Sequence, residues 1–136
     1  MTARLLIDAC GLSQREAAEF LGVRIDTVKS WHRINPPQAR PGVLAELRAL
    51  HAIQRRAAAH LIVQVRETTR AYGEAEMVEI GLSTDDHEAR SLGWPCVGAH
   101  RMAIALAAAR LTGMQIVIVP RGSTVATAVA ADAHDG

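Results

Sequence analysis

The sequence predicts a mostly α-helical chain with a small α+β C-terminal part: an N-terminal helix-turn-helix bundle, then a strand-helix-helix-strand unit. Three observations predict it. Leu12 to Arg33 (LSQREAAEFLGVRIDTVKSWHR) reads as two short helices around a tight turn. From Val43 a helical spacing of apolar residues persists as far as Thr69. MVEIGL and MQIVIV have strand character, and an alanine-rich helical stretch lies between them. The expected organisation is a head over 1–70, an α+β unit over 71–120 and a flexible tail over 121–136.

In chain order, Ala3 to Ala9 is the first expected helix, with Leu5, Leu6 and Ala9 inward and Gly11 as its stop. Ser13-Gln14-Arg15-Glu16 has the form of a capping box, in which serine oxygen and glutamate carboxylate each take an otherwise unpaired amide. Leu12 and Ala17 flank it where an apolar staple forms. Ala18 is small enough for a second helix to come close, and Phe20 and Leu21 are expected core. Gly22 tolerates the left-handed backbone that ends a helix. Ile25, Val28 and Trp31 then fall on one face of a second helix. Thr27, Lys29, Ser30 and Arg33 are left on the other. A short helix with a cationic outer face, crossed by a capped helix before it, is the helix-turn-helix arrangement.

Asn35 to Gly42 holds three prolines and reads as a stiff loop, because proline cannot continue a helix. The long helix from Val43 carries Leu44, Leu47, Leu50, Ala57, Leu61 and Val65 near one face. Its LIVQV segment is β-branched, but the alanines before it favour helix. Tyr72 and Gly73 break the pattern. Residues 77–82 form a strand. Ser83 and Thr84 cap a short acidic helix that ends at Gly93. Cys96 to Leu111 is a helix apolar almost all round, and 114–119 is a short buried strand.

An apolar fraction of 49% with 3% aromatics requires an Ala/Leu/Ile/Val core. No apolar run of about eighteen residues is free of charge, so no membrane span is expected. The N-terminus lacks a secretory pattern, and Cys10 and Cys96 stand apart, which fits a reduced, cytoplasmic chain. Residues 1–70 carry eleven Lys/Arg against six Asp/Glu, +5, and residues 71–136 carry four against eight, −4. This asymmetry points to a nucleic-acid-facing first half.

Leu12, Ser13, Gln14, Ala18, Leu21, Gly22, Val23, Thr27, Val28 and Trp31 stand where phage-repressor-type regulators carry their helix-turn-helix pattern, and the stretch resembles that family. Arg24 replaces the serine that usually caps the recognition helix, and His32 replaces a glutamate. The whole layout is similar to anti-CRISPR-associated repressors, through the head, the proline-rich exit, and Gly93-Trp94 leading into an alanine-rich helix and a last strand. The resemblance implies a C-terminal dimerisation domain and a homodimer that binds an inverted repeat, often in the promoter of its own phage or mobile-element operon. It also implies that Gln14 meets phosphate.

The residues themselves nominate further contacts to double-stranded DNA. Arg15 is placed to reach the backbone and Arg24 sits at the mouth of the recognition helix. Asp26 suits a cytosine amino group, or simply the helix N-terminus. Thr27 is expected on phosphate, Ser30 on a base, and Lys29 and Arg33 on guanine or phosphate. Trp31 is expected core. No catalytic, metal or cofactor residue is nominated: the six histidines are scattered and no Gly-x-Ser-x-Gly elbow occurs. Asp85-Asp86-His87-Glu88 is read as a solvated helix cap. The expected function is transcriptional repression without enzymatic activity. The alternative is an antitoxin-like interaction protein that binds a partner toxin and its own promoter.

Overall fold

The structure, a computed structural model, describes residues 1–72, 77–123 and 129–130. It is mostly helical with a small parallel sheet. The elements are α1 (Thr2–Ala9), α2 (Gln14–Leu21), α3 (Ile25–Ser30), α4 (Pro41–Tyr72), β1 (Met77–Leu82), α5 (Asp86–Ser91), α6 (Val97–Ala108), β2 (Gln115–Pro120) and β3 (Val129–Ala130). The chain divides into two units, Met1–Ile53 and Gln54–Gly136. The division between these compact units falls inside α4.

In the first unit α1 buries Ala3, Ile7 and Cys10, a spacing of four and three that forms one stripe. Leu5, expected inside, is 59% exposed because it lies about two residues around the helix from that stripe. The capping box of α2 is complete: the Glu16 amide donates to Ser13 Oγ at 3.1 Å, and the Ser13 amide donates to Glu16 Oε1 at 2.8 Å. Leu12 and Ala17 beside it are both buried. Gly22 ends α2 at φ 66°, and its N–H donates to the Ala18 carbonyl. The tight packing of α2 rests on Ala17 and Ala18; Phe20 and Leu21, expected core, are only half-buried. Pro41 opens α4 at a position where no amide partner is needed. The early part of α4 buries Leu47 and Leu50, and Cys10 Sγ donates to the Leu47 carbonyl at 3.4 Å.

In the second unit the later turns of α4 bury Gln54, Ala57, Ala58, Leu61, Ile62 and Val65, with Arg55 and Arg56 outside. The LIVQV segment is helix. The sheet order is β2-β1-β3, all parallel, and β1 pairs with β2 from Met77↔Gln115 to Leu82↔Pro120. Parallel neighbours need a long crossover, and α5 and α6 supply it. β1 occupies the residues expected. β2 lies one residue later and is not the buried strand expected: Ile118 is 49% exposed, because β2 stands at the outside of the sheet order. Within the tail expected to be flexible, Arg121–Ser123 form a 3-10 turn and Val129–Ala130 pair with β1. The rest of that tail and Gly73 lie outside the described residues.

The acidic run around α5 is fully engaged in capping. Asp85, not Ser83 or Thr84, is the N-cap and accepts from the Glu88 amide at 2.7 Å. Glu88 accepts from the Thr84 amide at 3.0 Å. Asp86 accepts from the Val97 amide at 2.9 Å, which supplies α6 with a cap that its own N-cap residue, Cys96, does not make. Ser83 is buried instead. Its backbone N–H and hydroxyl both reach His100 Nδ1, at 3.2 and 2.9 Å, and the His100 ring stacks on Trp94 with centroids 5.8 Å apart. A backbone donor on Nδ1 leaves that nitrogen without a proton, so the ring is the Nε2–H tautomer. Gln54 Nε2 donates to the Ala99 carbonyl at 3.1 Å.

Candidate nucleic-acid interface

α2 and α3 pack against each other, and the sequence between them explains how. Gly22 turns the chain, Arg24 takes the extended N-cap position, and α3 follows for six residues. α3 buries Val28 and Trp31, 0% and 4% exposed. Ile25, expected on the same face, is 37% exposed, because it stands at the first turn, short of the packed surface. His32 Nδ1–H donates to the Val28 carbonyl at 3.0 Å, and the Ser30 hydroxyl donates to the Thr27 carbonyl. Both bonds hold the last turn of a helix too short to be stable alone.

The nominated residues separate into two groups. Arg24, Asp26, Thr27, Lys29 and Arg33 are exposed and Ser30 is half-buried, all on or beside α3. Gln14 is half-buried at the start of α2. Arg15 is exposed, but its guanidinium lies 3.6 Å from Glu19 across one turn of α2. Such an exposed pair is weak and readily exchanged for a phosphate.

The bulk charge asymmetry is smaller when counted over the two compact units. Met1–Ile53 carries seven Lys/Arg against five Asp/Glu, +2, and Gln54–Gly136 carries eight against nine, −1. Much of the expected +5 belongs to the distal half of α4. The cationic character of the first unit is local: Arg24, Lys29 and Arg33 stand against Asp26 alone around α3.

Beside α3 the first unit holds an open groove of about 700 Å³. Arg24, Thr27 and Ser30, from α3 and its N-cap, and Arg40 and Gly42, from the start of α4, line it together. Sequence reasoning missed Arg40, because nothing local to the proline-rich loop shows that it returns to α3. It also missed Ile34, which is 95% exposed just beyond the helix.

Ser83 and His100 make a Ser–His contact, but both side chains are closed to solvent at 3% and 0% exposure. Burial raises the Cys10 thiol to about 11, so it stays protonated. Cys96 is likewise buried. Among the described residues no three His, Cys, Asp or Glu converge as metal ligands, and no helix is long and apolar enough to cross a membrane. In comparison with known proteins, no family model, no curated protein and no solved structure matches the chain.

Proposed function

We propose that the protein is a sequence-specific DNA-binding repressor that acts as a homodimer on an inverted repeat. Its regulated site is the promoter of its own operon, of the phage or mobile-element kind. The observation that carries this reading is the division of labour on α3. Val28 and Trp31 are spent on packing, while Arg24, Thr27, Lys29 and Arg33 remain exposed on or beside a helix that follows the Gly22 turn and packs on the capped α2. That is the helix-turn-helix arrangement, in which the second helix enters the major groove. Lys29 and Arg33 then serve guanine or phosphate, Ser30 and Asp26 face base edges, and Gln14, Arg15 and Thr27 take backbone phosphates. A single six-residue reader covers about half a site, so two copies about one helical turn apart supply both affinity and length of recognition.

The test is binding to the DNA immediately upstream of its own gene across a salt series, with wild type and an Arg24→Ala/Lys29→Ala variant. The expected result is binding that weakens steeply with salt and is lost in a variant whose circular dichroism is unchanged. Wild-type binding no better than to unrelated DNA would sink the reading and favour a protein partner.

A further inference from the structure

We infer that the groove beside α3 seats one strand of DNA backbone, and that Arg40 is a phosphodiester contact that fixes how α3 sits in the major groove. The inference rests on the DNA-binding reading and extends it to a residue outside the two-helix motif. Three features of the groove fit this occupant.

The first is charge. Arg24, the N-cap of α3, and Arg40, which precedes α4, both line the groove. Both are exposed, and among the described residues neither forms an ion pair. Glu46 is the sole acid on the lining, so the groove is cationic overall. A phosphodiester strand presents one negative charge per nucleotide and matches two separated guanidiniums better than a compact anion does.

The second is surface chemistry. Thr27 brings a hydroxyl to the lining, and Val23 and Pro37 bring apolar surface. A sugar–phosphate chain needs both, apolar contact for deoxyribose and donors for phosphate oxygens. The third is placement. The part of the lining that carries Thr27 and Ser30 belongs to the proposed reading helix itself, so a strand held here fixes the register of α3 against the bases.

Gly42 makes the groove directly testable. It lines the groove within α4, and a Cβ built there meets nothing within 4 Å. Gly42→Glu therefore adds a carboxylate to open space without disturbing packing. Full-length wild type, Arg40→Gln, Gly42→Glu and Lys29→Ala are titrated by fluorescence anisotropy with the upstream duplex and a scrambled duplex, over a salt series. Thermal midpoints verify that each variant is folded. Arg40→Gln is expected to weaken binding about tenfold on both duplexes alike. It should also lower the salt slope by about 1, the signature of one lost phosphate contact. Gly42→Glu should weaken binding further on both.

If Arg40→Gln and Gly42→Glu bind like wild type while Lys29→Ala is impaired, the groove assignment is overturned and the DNA reading stands. If wild type binds neither duplex, both fall. An Arg40-dependent thermal shift with inorganic phosphate, beside unchanged DNA binding, would reassign the groove to a small phosphate and also overturn the inference.

Discussion

The two units are built on different kinds of bond. In Met1–Ile53 most of the hydrogen bonds described are short in sequence, Ser13 with Glu16, Gly22 with Ala18, His32 with Val28, although Cys10 also reaches Leu47. In Gln54–Gly136 several are long: Gln54 with Ala99, Ser83 with His100, Asp86 with Val97, and β1 paired in parallel with β2. Local contacts use neighbours that the chain already holds together, so each residue type announces its partner. Long contacts must first close a loop, and no residue type names its partner in advance. The unit with local bonds carries the exposed cationic helix; the unit with long bonds carries the buried polar groups.

The strongest way to break this contrast is Trp94→Ala. Trp94 is 1% exposed and stacks on His100, so its loss opens a cavity beneath the Ser83 contact. The expected destabilisation is about 3–5 kcal/mol, read by urea unfolding followed by circular dichroism. A loss below about 1 kcal/mol would show that the second unit does not depend on this cluster.

The first unit gives a smaller response. Ser13→Ala removes one arm of the capping box and is expected to cost about 1 kcal/mol. Trp31 is the natural fluorescence reporter, because the chain has two tryptophans and the other, Trp94, lies in the second unit. An unchanged midpoint would mean that packing of Ala17 and Ala18 holds α2 without its cap.

The last effect is confined to alkaline pH. The Cys10 thiol titrates at 9.0 when exposed and at about 11 when buried. Its folded value is raised, so the stabilisation it provides is complete below pH 9 and declines as pH rises toward 11. Cys10→Ala should flatten this alkaline fall in the urea midpoint. A wild-type slope retained in the variant would assign the fall to other groups.

In the head the local features were legible. Capping box, glycine turn and the buried Val28 and Trp31 follow from types and spacing, because each works within four residues. The faces of α1 were misassigned because Leu5 and Ile7 are equally apolar, and only the neighbouring helices decide which is covered. Strand β1 was legible from its apolar alternation, whereas the exposure of β2 was not, since its place in the sheet order is not written in its own residues. In the candidate site, the α3 residues were found by periodicity. Arg40 was hidden because a proline-rich loop carries no sign of where it returns.

The sequence by itself determined the capping box of α2, the turn at Gly22 and the cationic outer face of α3. These depend on backbone conformation and hydrogen bonds between near neighbours, which residue type controls. Only the tertiary structure decided that Ser83 turns inward to His100 and that Asp86 caps a helix eleven residues away. It alone placed the division between the compact units inside α4 and brought Arg40 to the groove beside α3. Those outcomes depend on which distant surfaces meet, and burial assigns partners by shape and polarity after the local elements exist.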